Sequence, residues 1–344
     1  MIRPGSRNLI TDVDGIAVGN AEDVAARSGA TVVLPDRPAV AACDVRGGGP
    51  GTRETDLLDP AASVQEVTAI SLSGGSAFGL AAADGIMSWL AARGRGLNVA
   101  GSIVPLVPGA ILFDLNNGGD KSWGELPPYR ALGMRACDNA GKDFALGNIG
   151  AGLGARCGNL KGGLGSASAV GDDGLQVGAL LAVNARGFAT MEGQRQFWSW
   201  PWEQGDEFGG LEPPTARVSL DVSVDRGASP PGGAAAVASH VRGHTTIGVV
   251  ATNARLSKAE AQRVAIMAQD GLARAIRPIH TSFDGDALFV LATGRHELTG
   301  VRPLALSLLG GVAADCVARA CARGVYAAQS LPGMPSWREV YGRA

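Results

Sequence analysis

The feature that most constrains this chain is the passage from residue 226 to residue 254. A loose Pro/Gly/Ala tract, Arg226 to Ser239, feeds the stretch Gly-His-Thr-Thr-Ile-Gly-Val-Val-Ala-Thr-Asn-Ala at 243–254. Within it, Ile247 to Ala251 is a short apolar run that reads as a buried strand. Two hydroxyls, Thr245 and Thr246, therefore stand where a flexible connector enters a rigid core element. A chain cut there acquires a threonine at a new N-terminus. A free α-amine has a pKa of about 7.7–8.0 against about 10.4 for lysine, so about a tenth of it is unprotonated at neutral pH. Such a residue carries nucleophile and base together, an arrangement known for acyl transfer. A strand that merely begins with Thr-Thr has the same sequence, because threonine favours strands.

The chain of 344 residues supplies enough apolar material to bury such a strand: 46% are hydrophobic and 18% charged. Glycine, at 51 residues, is about twice its usual share, which predicts tight turns and close backbone approaches. A net charge of −2 gives no electrostatic case for a nucleic-acid or membrane partner. No run approaches the roughly 20 apolar residues of a membrane span, and the N-terminus lacks an apolar secretion core. Five cysteines, Cys43, Cys137, Cys157, Cys316 and Cys321, form no metal-ligand spacing and read as buried reduced thiols. The expectation is a soluble cytoplasmic protein with no metal and no cofactor.

Several segments carry candidate chemistry. Asp44 to Asp56 (Asp-Val-Arg-Gly-Gly-Gly-Pro-Gly-Thr-Arg-Glu-Thr-Asp) is either a pocket-lining loop or an anion cradle, though it lacks the P-loop ending. Val67 to Leu72 reads as a strand, followed by a helix through Phe78, Ala82, Ile86 and Leu90. Phe78 at its start is a core contact or a pocket wall. Lys161 lies among glycines, in a solvated turn or close to reacting groups. Asn184 ends the strand Val177 to Val183, where it is an amide donor for an oxyanion or a plain turn residue. Phe197, Trp198, Trp200 and Trp202 suit a lid, a substrate rim or a subunit contact. Arg217 to Val224 alternates as a strand. Ser257-Lys-Ala-Glu260 is a capping box opening a helix. Asp284 and Asp286, flanking Gly285, could bind a metal or hold an ammonium group. Leu304 to Arg323 reads as a helix stopped by Gly324, and Leu331 to Ala344 as a surface tail.

In order along the chain, these pieces resemble the L-aminopeptidase/D-esterase family, which includes β-peptidyl aminopeptidases and nylon-oligomer endohydrolases. The matching segments are 44–56, Leu-Ser-Gly-Gly-Ser-Ala-Phe-Gly-Leu at 72–80, Gly-Ala-Gly-Leu-Gly-Ala at 150–155 and Lys-Gly-Gly-Leu-Gly at 161–165. The Asn184 strand, Thr-Thr-Ile-Gly-Val-Val-Ala-Thr-Asn at 245–253 and Asp-Gly-Asp at 284–286 complete the set.

The resemblance implies an α+β fold, a four-layer αββα sandwich of the N-terminal-nucleophile-hydrolase kind, in a single domain spanning 1–344. It implies a precursor that cuts its His244–Thr245 bond into chains 1–244 and 245–344. Thr245 is then the nucleophile and Asn184 the oxyanion donor. Lys161 polarises or positions the hydroxyl, and Asp284 and Asp286 hold the amine or the substrate's ammonium. The implied activity is hydrolysis of small peptides or amides by a homotetramer of processed protomers. Hydrolysis of a non-peptide amide such as a nylon (6-aminohexanoate) oligomer or a pantetheine-like compound, acyl transfer to an amine and ligand binding without processing are the alternatives. This sequence departs from family pattern in carrying His244 before the nucleophile, Thr in place of Ser, and Phe78 where the nylon-oligomer enzymes have Tyr.

Overall fold

The computed structural model describes residues 1–215, 217–218 and 244–342. The expected strand at 217–224, apart from its first two residues, lies outside the described residues, as do the 226–239 tract and Gly243.

Two sheets lie face to face between two pairs of helices, the αββα sandwich expected. The larger sheet has seven strands, in the order Ile2–Arg3, Gly163–Gly171, Gln176–Asn184, Thr245–Ala254, Ala287–His296, Ala39–Val45 and Glu66–Val67. Its one parallel contact joins Thr245–Ala254 to Ala287–His296, with the helix Lys258–Ala275 as crossover. The smaller sheet runs Ile16–Asp23, Ser28–Pro35, Ile70–Ser73, Gly109–Ile111 and Thr52–Arg53. The apolar run expected at 67–72 is thus divided: Val67 belongs to the first sheet and Ile70 begins a strand of the second.

Three hydrophobic clusters fill the three spaces between four layers. Helices Lys258–Ala275 and Arg302–Ala327 pack Val264, Leu272, Val317 and Cys321 against Val177, Leu181, Val250 and Leu288. Between the sheets lie Leu180, Ile247, Val249 and Phe289 with Val33, Ile70 and Leu72. On the far side, helices Ala81–Ala91 and Tyr129–Asp138 cover Ala30, Val32 and Leu34. Strand side chains alternate between faces, so the strand beginning at Thr245 needs apolar residues on both and reads as a continuous run. The same alternation groups Thr245 with Ile247 and Val249, on the face between the sheets. Thr246 takes the opposite face.

Three expectations about the C-terminal third need correction. The last long helix continues through Gly324 to Ala327. Gly324 is there for contact: a Cβ on Gly165 would fall 1.9 Å from Ala320 O, and one on Gly324 2.9 Å from Gly165 N. That same helix is long and apolar enough to cross a membrane by length and composition, yet its inner side is packed on the sheet. The tail is integral: Trp337 is fully buried, stacked on Phe197 and donating from Nε1 to Arg195 O at 2.9 Å. Phe197 is therefore core, whereas Trp198 and Trp202 lie under the guanidinium groups of Arg277 and Arg274.

Candidate active site

The Gln176–Asn184 and Thr245–Ala254 strands are antiparallel neighbours, and their register sets Asn184 directly opposite Thr245. On the other edge, His244 bridges to Asp284 in parallel. Thr245 is 4% exposed. Its hydroxyl donates to the carbonyl of His244, the residue it would be cut from. Thr246, by contrast, turns a buried hydroxyl away from this group, with no hydrogen-bond partner among the described residues. Of the two threonines, only Thr245 has its oxygen against a peptide carbonyl.

A tight loop, residues 281–286, wraps the entry of the Thr245–Ala254 strand. The Gly285 N–H points at the His244 carbonyl oxygen at 3.0 Å and at Thr245 Oγ1 at 3.1 Å. Both flanking acids are fully buried. Asp284 accepts from Arg186 N at 3.2 Å, Thr281 N at 2.9 Å and Thr281 Oγ1 at 2.5 Å. Asp286 accepts from Thr246 N at 2.7 Å and from His280 N at 3.1 Å, and its Oδ2 is 2.9 Å from His280 Nδ1. These bonds fix the loop to the strand through its side chains. Burial, and next the charge of Asp286, raise the Asp284 carboxyl above its usual range. No group of three or more His, Cys, Asp or Glu among the described residues is arranged to hold a metal.

The loop at 46–49 grips the other side, and it is no anion cradle. Arg46 N and Gly47 N donate to Asp286 O, Gly48 N to Thr281 O, and Gly49 N to Asp284 O at 2.8 Å. A Cβ at Gly47 would sit 2.2 Å from Asp286 N and one at Gly48 2.7 Å from Ser282 Cα, so these two positions must be glycine for the loops to meet.

Asn184 is 3% exposed. Its Oδ1 accepts from Arg156 N at 2.9 Å and its Nδ2 donates to Phe113 O at 3.0 Å. The amide has a second N–H beyond that bond. Arg156 pairs in turn with Lys161 across a two-residue ladder. Lys161 is wholly buried, donating to Gly152 O at 3.0 Å and Gly162 O at 2.7 Å. Burial drives its pKa down to about 7, with Asp114 opposing and Arg156 assisting. A neutral amine has two N–H groups, which those two carbonyls take up, and a lone pair left over.

A small cleft opens beside this group, lined by His244, Asn184, Arg156 and Asp114 among others. Asp114 and Arg156 have no sequence signal that marked them. Asp114 accepts from Ser28 Oγ at 2.7 Å and Gly75 N at 2.8 Å, and burial pushes its pKa up to about 6. Phe78 does not line this cleft; it is 52% exposed, its ring edge-on to Trp123 at 5.8 Å. The structure thus gathers Thr245, His244, Asn184, Asp284 and Asp286 at adjoining strand ends, and places Lys161 one ladder behind them. Gly285 was passed over in the sequence because a backbone N–H leaves no mark there.

Comparison with known proteins gives the family. The model of peptidase family S58 matches residues 8–337. An uncharacterized aminopeptidase of Mycobacterium tuberculosis is 46% identical over 352 residues, covering 97% of this chain and 98% of that one. A 6-aminohexanoate-oligomer endohydrolase of a Kocuria species is 27% identical over 315 residues, covering 86% and 77%. Among solved structures, a β-aminopeptidase of a Burkholderia species matches with a TM-score of 0.68 at 23% identity, covering 96% of this chain and 90% of that one. The L-aminopeptidase D-Ala-esterase/amidase of Ochrobactrum anthropi, described as a variant of the Ntn-hydrolase fold, matches at 0.66 with 20% identity, covering 99% and 96%. These two likenesses speak for the fold.

Proposed function

The chain belongs to peptidase family S58, hydrolases of amide and peptide bonds that work through an N-terminal nucleophile, and from that premise we propose that it makes Thr245 its nucleophile by cutting its own His244–Thr245 bond. The observation that carries the reading is the Thr245 hydroxyl lying against the His244 carbonyl, at the edge of a buried strand.

In the first step Thr245 Oγ attacks the His244 carbonyl carbon. The C–N bond to Thr245 breaks, a His244 ester forms on Oγ, and the hydroxyl proton ends on the Thr245 nitrogen. Water from the cleft then cleaves the ester, leaving a His244 carboxylate and restoring the hydroxyl. In turnover the same Oγ attacks a substrate amide with the new α-amine as base. Asn184 donates its second amide N–H to the oxyanion. Lys161, held near neutrality, orients or accepts the hydroxyl proton. Asp284 and Asp286 place negative charge beside the new α-ammonium.

The substrate in this reading is a small peptide with a free amine, and the enzyme is an aminopeptidase. The similarity to the aminopeptidase relatives supports it. A second reading, hydrolysis of a non-peptide amide oligomer, is favoured by the threonine nucleophile together with the Kocuria relative. Purified protein assayed on aminoacyl anilides and on 6-aminohexanoate oligomers separates them. Preference for the anilides supports the first reading, and preference for the oligomers the second. The reading extends to a homotetramer of processed protomers in the cytoplasm, which the five unpaired cysteines support.

A further inference from the structure

A hydrogen-bond relay runs through the loop beside the scissile carbonyl. Gly49 N–H donates to the Asp284 carbonyl at 2.8 Å, and the N–H of that same peptide unit, on Gly285, donates to the His244 carbonyl at 3.0 Å. A peptide that accepts at its oxygen becomes a stronger donor at its nitrogen. Gly285 N also lies 3.1 Å from Thr245 Oγ1, so one donor spans both the attacked oxygen and the attacking one. Thr245, Asp284 and Asp286 are all buried, and in such a setting an aimed dipole is worth most.

The fold defends this peptide on every side. A Cβ on Gly285 would stand 2.7 Å from Thr245 Oγ1 and 2.7 Å from Gly49 O. The side-chain bonds of Asp284 and Asp286 hold the loop from within, and the N–H groups of residues 46–49 hold it from outside. We propose that the Asp284–Gly285 peptide is the oxyanion donor for self-cleavage, and that the Gly-rich 46–49 loop is the clamp that aims it. As Thr245 Oγ adds to His244, the carbonyl oxygen takes the negative charge against Gly285 N–H. It gives the charge up as the C–N bond breaks and the proton passes to the Thr245 nitrogen. This assigns a catalytic role to a backbone group and a positioning role to the glycines of 46–49.

The inference rests on Thr245 being the nucleophile, and its test is separable from that claim. The Asp284–Gly285 amide is replaced by an ester, with glycolic acid at position 285, which deletes the N–H and leaves the shape unchanged. Precursor conversion is followed by intact mass, with fold checked by thermal melting. The ester chain should fold and self-cleave at least about 100-fold more slowly than wild type. Gly311→Ala, on the long helix where a Cβ meets nothing within 4 Å, should cut normally. A folded ester chain that cuts at the wild-type rate overturns the inference and leaves the nucleophile assignment standing. Wild type that never cuts removes the assignment itself. If the ester chain does not fold, the uncut Thr245→Ala protein decides. Labelled with 13C-carbonyl histidine and 15N-glycine, it should show a through-hydrogen-bond coupling between His244 and Gly285, and absence of that coupling overturns the proposal.

Discussion

At the scale of single residues, Lys161 is the most exacting case. Its ammonium is buried with two carbonyls as its hydrogen-bond acceptors, and burial pulls its pKa to about 7 from an unfolded value near 10.5. The unfolded chain therefore binds more protons between those values, and folding stability rises with pH across that window. In the uncut Thr245→Ala background, the stability of the Lys161 protein relative to Lys161→Met should be flat below about pH 7. It should then climb by as much as about 1.4 kcal/mol per pH unit toward 10. Chemical denaturation of both proteins across pH checks it, and a difference independent of pH contradicts it. Asn184→Ala strips Arg156 N of its acceptor and Phe113 O of its donor. It should cost about 1–3 kcal/mol in urea unfolding, with substrate turnover by the processed enzyme slowed about 10²–10³-fold. Of these residues, Thr245, Asn184 and Lys161 stood out in the sequence because each has a reactive side chain beside a strand end or a glycine run. Asp114 and Gly285 did not, since one needs the cleft and the other is backbone.

At the scale of elements, the glycines explain how a sheet and a helix come within backbone contact. Gly165 faces the Ala320–Gly324 turn of the long helix so closely that no Cβ fits. Gly165→Val should push helix and sheet apart and lower stability by about 1–3 kcal/mol or more, measured as a drop in melting temperature. Reading Gly324 as a helix stop failed for the same reason: glycine's use at a packing contact and at a helix end look alike in one dimension. The tail failed differently. Its prolines suggested a draped segment, but Trp337 fills a core position and Pro335 O accepts from Lys161 N at 2.7 Å. Trp337→Ala should cost about 3–5 kcal/mol. The strands at 176–184 and 245–254 were readable because both faces are buried around a short apolar run.

At the scale of the whole molecule, two sheets bring residues far apart in sequence to one strand end. Asp44–Gly49, Asn184, Thr245 and Asp284–Asp286 meet only because the seven-stranded sheet sets their strands side by side. That ordering is topology, which spacing along the chain does not encode. The outer face of the long helix leaves Val301, Leu304 and Leu308 uncovered, at 64%, 69% and 54% exposure. Such a stripe suits the tetramer in the proposed function. Sizing with light scattering should return four times the 34.9 kDa protomer mass, and a monomer would contradict it. The central claim is that a hydroxyl buried at a strand edge is freed by breaking the bond before it, and intact mass with N-terminal sequencing tests it most directly. Active wild-type enzyme should separate into chains 1–244 and 245–344, the smaller beginning at Thr245, while Thr245→Ala stays whole and inactive. An active enzyme whose His244–Thr245 bond is still joined would contradict the account.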